Sequence, residues 1–114
     1  MLQITTAAVL SELQHHIGQD KGIHVRDLVQ RITGQTTATE HLERKVREVI
    51  TELRMAGEHV CGHPSTGYFM AADAAELQAT CNFLYSRSMT GLQQVAAMNR
   101  VSMPDLRGQF HLPT

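Results

Sequence analysis

His59, Cys61 and His63 sit at alternate positions and come closest in this chain to a metal-ligand set. Imidazole and thiolate are ordinary zinc ligands, and on an extended strand alternate side chains share one face. A flat row of ligands two residues apart does not close around a tetrahedral ion, and no fourth ligand is evident. The expectation is that Val60 faces the core, that its neighbours face solvent or the partner strand, and that no metal or other cofactor is held. His15 and His16, at the end of a predicted helix, would complement the negative end of the helix dipole when protonated. Covalent catalysis by a Cys–His pair needs a positioned base and an oxyanion site. Cys61 and His63 beside a turn show neither, Cys81 falls in a helical apolar stripe, and there is no glycine-rich phosphate loop. Neither an enzyme nor a small-molecule substrate is expected.

The basic residues form the second set. Residues 21–57 carry seven Lys and Arg (Lys21, Arg26, Arg31, Arg44, Lys45, Arg47 and Arg54) against five acids, on a chain of formal net charge −1. Arg44, Lys45 and Arg47 fall on one predicted helix, and such side chains reach guanine edges or phosphates. Thr37, Thr39 and His41 lie at the N-terminus of that helix, where free N–H groups can donate to a phosphate. Lys21, Arg26 and Arg31 are weaker candidates for backbone contacts. His63, Ser65 and Thr66, in a turn, are candidates to reach a minor groove or a backbone. The near-neutral total argues against strong non-specific binding to nucleic acid. The competing reading is a solvated helical face of i,i+4 pairs, Glu40–Arg44 and Glu43–Arg47, with Glu48–Glu52 repulsive.

The elements that position these residues follow from periodicity and caps. A first helix is predicted over 6–17, capped by Thr6, with Leu10, Leu13 and Ile17 inward and Gly18 at its end. Gly22–Val25 reads as extended. A second helix over 25–33 buries Val25, Leu28, Val29 and Ile32 and closes at Gly34. Thr37-Ala38-Thr39-Glu40 matches a capping box opening a third helix over 38–56, with Leu42, Val46, Val49, Ile50 and Leu53 inward and Gly57 as its stop. Residues 58–62 and 68–70 read as a hairpin around the turn cluster His63–Gly67. Asp73-Ala74-Ala75-Glu76 is a second capping box, opening a fourth helix over 74–100. The fold class is mainly α with a small β-hairpin, an α+β arrangement ending in a long C-terminal helix.

Helix, short strand, two helices across a polar turn and then a hairpin is the order of a helix-turn-helix with a wing. The stretch Arg44-Lys45-Val46-Arg47-Glu48-Val49-Ile50-Thr51-Glu52-Leu53-Arg54, then Gly57, Val60-Cys61 and Gly67-Tyr68-Phe69-Met70-Ala71, resembles winged helix-turn-helix DNA-binding domains. Asp73 through Glu76-Leu77, with Ser86-Arg87, resembles the small phage- and prophage-encoded members of that group. The resemblance spans roughly residues 7–101. It implies a recognition helix over 38–56, a wing tip at 63–66, and duplex DNA as partner, as for a transcriptional regulator or replication accessory factor. Winged helices also serve as protein-interaction adaptors, and the near-neutral charge suits that alternative.

The fourth helix is longer than a core of residues 1–72 can cover. Leu77, Cys81, Leu84, Ser88, Gly91, Val95 and Met98 recur along one face, and an uncovered apolar stripe implies a partner. Residues 73–101 are therefore expected to form a homodimerisation element through Leu84, Ser88, Gly91, Leu92, Val95 and Met98. Residues 102–114, with two prolines and no periodicity, are expected to be a flexible tail. Residues 1–17 lack the basic start and apolar run of a signal peptide, and no segment has membrane-spanning length. With two cysteines and no CxxC pair, the expected setting is the reducing cytoplasm.

Overall fold

Thr5 starts the first helix. In the computed structural model, which describes residues 3–36 and 39–99, its hydroxyl accepts from the Ala8 N–H at 3.1 Å. Helix α1 then runs Thr6–Leu13. The cap is one residue earlier than predicted, and the end is four residues earlier. The cause of the early end is tertiary. The Met70 N–H donates to the His16 carbonyl at 2.8 Å, and the Gly18 N–H donates to the Met70 carbonyl at 2.9 Å. Ile17 thereby makes a parallel bridge to Met70. These pairings draw residues 14–17 off the helical path, so Ile17 is 47% exposed rather than part of the buried face.

A 3-10 turn, Gln19–Lys21, leads into the extended stretch that the sequence predicts. Ile23 exchanges both backbone hydrogen bonds with Tyr68, each at 2.8 Å. This junction is tight. A Cβ on Gly22 would lie 2.2 Å from the Thr66 carbonyl oxygen, and one on Gly67 (φ +87°) would lie 2.4 Å from that of Ile23. Only glycine fits either position.

Helix α2, Val25–Thr33, buries Leu28, Val29 and Ile32 and ends at Gly34 in the left-handed conformation (φ 75°). Helix α3, Glu40–Met55, buries Val46, Val49, Ile50 and Leu53. Its cap is Thr39, whose hydroxyl accepts from the Leu42 N–H at 3.3 Å. The predicted Thr37–Glu40 box is replaced by this arrangement, which sets both Glu40 and Glu43 in the first turn. Carboxylates there face the positive end of the helix dipole. Thr37 itself lies outside the described residues, as does the predicted tail 102–114. Helices α1, α2 and α3 pack against one another around one aliphatic cluster. Val9, Leu13, Leu28, Val29 and Val46 in that cluster are fully buried.

Strands β1 (Val60–His63) and β2 (Gly67–Met70) form the antiparallel hairpin, with Val60 opposite Met70 and Cys61 opposite Phe69. The hairpin is buried on both faces at this end. Val60 joins the helical cluster, while Cys61 and Phe69 are also buried but lie outside it. The start of helix α4 (Ala74–Asn99) supplies the cover. The Cys61 thiol donates to the Glu76 carbonyl at 3.6 Å, and the Gly62 N–H donates to the Thr80 hydroxyl at 3.4 Å. This corrects the expectation of a solvent-facing Cys61: period-two alternation places it opposite Val60, but both faces are inside.

The second capping box forms in part. Asp73 Oδ1 accepts from the Glu76 N–H at 2.9 Å. The Glu76 carboxylate accepts instead from Ala72 N–H at 2.9 Å and, across the chain, from Gln19 N–H at 3.0 Å. The molecule is thus mainly helical, with a two-stranded antiparallel hairpin and a long C-terminal helix. None of its helices, among the described residues, is long and apolar enough to cross a membrane.

The chain divides into two compact units, Met1–Thr80 and Cys81–Thr114, with the boundary inside α4. In the second unit, residues 81–88 are all exposed, Phe83, Leu84 and Tyr85 among them. Cys81, in the apolar stripe, is an exposed free thiol. Arg87 lies over the Phe83 ring, 5.7 Å from its centroid. Ser88, Gly91 and Met98 are exposed, whereas Leu92 and Val95 are half-buried.

Candidate functional site

The face of α3 opposite its core stripe is built by helical spacing alone. Arg44 and Lys45 follow His41 by three and four residues, Glu48 follows them by four and three, Glu52 follows Glu48 by four, and all five are exposed. Residues at these intervals share a helix face. The face has a polarity along its axis: the N-terminal half carries His41, Arg44 and Lys45, and the next two turns carry Glu48 and Glu52. Thr39, also exposed, caps the cationic end. Arg47 stands to one side of this row.

The cations are not equally available. Arg44 lies 3.5 Å from Glu40, with side chains 68% and 87% exposed. Arg47 lies 3.6 Å from Glu43, where the arginine is 53% exposed and the glutamate 22%. Both predicted i,i+4 pairs are present, at separations longer than a good charged hydrogen bond. Lys45 has no hydrogen bond or ion pair among the described residues. Arg54 is turned inward: its Nε donates to the Val60 carbonyl at 2.8 Å and ties the last turn of α3 to β1. In the sequence Arg54 enters only the local charge balance of residues 21–57. Its place directly before the hairpin was the one signal that it serves to hold the strand.

The hairpin tip presents little charge. His63 Nδ1 accepts from the Ser65 N–H at 3.1 Å and lies 2.8 Å from the Ser65 hydroxyl. Thr66 is half-buried against Gly22, and its hydroxyl oxygen is enclosed without a partner. From Ala56 to Ser86 the chain has no Lys or Arg and three acids. Of the turn residues proposed from sequence, His63 and Ser65 therefore face solvent and Thr66 does not.

Among the weaker candidates, Arg31 is 3.5 Å from Glu12 Oε2. That same oxygen lies 2.9 Å from His16 Nε2, while His16 Nδ1 lies 2.9 Å from the Lys21 carbonyl. His16 and Arg31 thus join the end of α1, the 3-10 turn and α2, while the Arg31 side chain stays 57% exposed. Arg26 and Lys21 are exposed. His59 and His63 are exposed while Cys61 is buried, so the three do not converge. No group of three or more His, Cys, Asp or Glu gathers among the described residues.

Comparison with family models, with curated proteins and with solved structures finds no match.

Proposed function

We propose that this chain is a winged-helix protein that binds duplex DNA through the N-terminal half of α3. The observation that carries the reading is the exposed row His41, Arg44 and Lys45 behind the Thr39 cap, on a helix whose other face is locked into the core by α1 and α2. A major groove admits one α-helix, and helix-turn-helix docking turns the N-terminal residues of that helix to the base edges. Residues 60–70 are then the wing. Its tip adds polar contacts from His63 and Ser65 but no cation. The role that fits is a phage- or prophage-type transcriptional regulator or replication accessory factor acting in the cytoplasm, where the exposed Cys81 thiol stays reduced. A homodimer through the exposed face of α4 would set half-site spacing.

One observation favours a second reading, a protein-interaction adaptor on the same fold. Arg44 and Arg47 already have carboxylate partners, and the hairpin is free of Lys and Arg.

Selection from a random duplex library, followed by anisotropy titration of the enriched site, separates the two. Arg44→Ala combined with Arg47→Ala is expected to weaken binding and to flatten the salt dependence by up to about 2 in log–log slope. Unchanged binding in that variant removes α3 as the reader. No enrichment at low salt, beside a stable protein complex, selects the adaptor.

A further inference from the structure

We infer that Glu40 and Glu43 restrain α3, holding Arg44 and Arg47 away from the phosphates of unmatched duplex; this rests on the reading of α3 as the DNA-binding element. The pairs have matched geometry: each carboxylate lies one turn before its arginine, at 3.5 and 3.6 Å. Both acids belong to the first turn, the end that enters the groove in the proposed docking. A phosphate that takes either arginine must displace a carboxylate and then sit beside it. A site offering guanine O6 and N7 to the fork gains a directed contact in exchange, whereas an arbitrary phosphate gains only another anion. Lys45, with no partner among the described residues, is the one cation of this face that meets any duplex without an exchange. The restraint is weak, because Glu40 and both arginines are solvent-exposed and only Glu43 is half-buried. A weak restraint suits this purpose, since a matched site can still break it.

Glu48 and Glu52 provide the internal control. They are exposed on the same helix and make no ion pair with a described residue. Replacing either pair of acids by amides changes the charge by the same amount, but only one replacement frees arginines.

The probe is a fluorescein-labelled 20-base-pair duplex of random sequence, titrated with the full chain between 50 and 200 mM salt. Thermal melts of each variant confirm folding. For Glu40→Gln combined with Glu43→Gln, two more cations engage phosphate, so the log–log salt slope steepens by up to about 2. The variant then loses roughly twelvefold more affinity than the native chain across that range. It binds more tightly at 50 mM, and Glu48→Gln combined with Glu52→Gln gains distinctly less. An equal gain in both double variants overturns the inference in favour of bulk charge. Measurable native binding that Glu40→Gln with Glu43→Gln leaves unchanged overturns the inference and leaves duplex binding standing. If neither the native chain nor any variant binds the duplex at 50 mM salt, the inference falls, and the duplex reading falls with it only where the library selection also yields no enriched site.

Discussion

Replacing Glu76 by alanine removes a carboxylate that serves two backbone donors at once, one local and one far along the chain. Oε2 accepts from Gln19 N–H at 3.0 Å and Oε1 from Ala72 N–H at 2.9 Å. Hydrogen bonds to a charged group contribute about 1.5–3 kcal/mol each when sheltered. Glu76 and Gln19 are half-buried, so the lower part of that range applies to the Gln19 bond. Ala72 is exposed, and its N–H recovers most of its loss from water. Together they come to about 2 kcal/mol for Glu76→Ala. For a unit the size of Met1–Thr80, each kcal/mol moves the midpoint by about 4–8 °C. The expected fall in Tm is therefore roughly 10 °C. Glu76→Gln sharpens the test. Its amide oxygen can accept from one N–H, while its NH2 group confronts the other, so about half the loss is expected. Calorimetry gives the midpoints, and hydrogen exchange at the Gln19 amide gives the local effect. Midpoints of both variants within about 2 °C of the native chain, with Gln19 protection unchanged, would refute the argument that this carboxylate clasps the 3-10 turn to the start of α4.

Gly22→Ala places a methyl group 2.2 Å from the Thr66 carbonyl oxygen. The hairpin must shift, and a loss of about 1–3 kcal/mol is expected, read as a lower Tm with faster exchange at the Ile23 and Tyr68 amides. Gly91→Ala is expected to act in the opposite direction. Gly91 lies within α4 with no atom within 4 Å of the added Cβ, so the substitution stabilises the helix by about 0.5–1 kcal/mol, read as slower exchange across residues 88–95.

Most of the fold was legible because its elements are locally specified. In α2, Leu28, Val29 and Ile32 mark the buried face, and Gly34 marks the stop at the predicted residue. The body of α3 follows from Val46, Val49, Ile50 and Leu53, and the hairpin from its turn cluster. What sequence missed depended on partners far along the chain. The end of α1 was invisible because Met70 unwinds it. Burial of Cys61 was invisible because its cover, Glu76 and Thr80, begins beyond the hairpin itself. The choice of Thr39 over Thr37 as cap turned on two neighbouring threonines of equal chemistry, and a start at Glu40 is the one that brings both acids into the first turn. The candidate site was legible by position, since exposure of His41, Arg44 and Lys45 follows from the stripe they oppose. The direction of Arg54 was not, because a cation in the last turn of a helix serves a strand carbonyl as readily as solvent.

Under the proposed DNA-binding reading, the charge arrangement limits how a complex can be built. With Arg54 committed to Val60, α3 offers three outward cations, Arg44, Lys45 and Arg47. The salt slope available from them is at most about −2.7, and the exposed Lys21 and Arg26 add at most about −1.8. That is small for a protein relying on phosphate neutralisation, and the cation-free hairpin adds nothing to it. Affinity must then come from directed contacts between α3 and base edges, from a second copy that doubles the contact set, or from both. The two routes make different demands on the molecule. Base-edge contacts require α3 to be held rigidly, and its buried stripe against α1 and α2 does this. A second copy requires an unoccupied surface of little charge. Between Leu77 and Asn99 the only charged residue is Arg87, and residues 81–88 are exposed on every side. A long helix in water ordinarily carries more charge than this, because an uncharged exposed surface favours association. The same near-neutrality that weakens α3 as an electrostatic binder therefore leaves α4 without a charge barrier to pairing with its own copy.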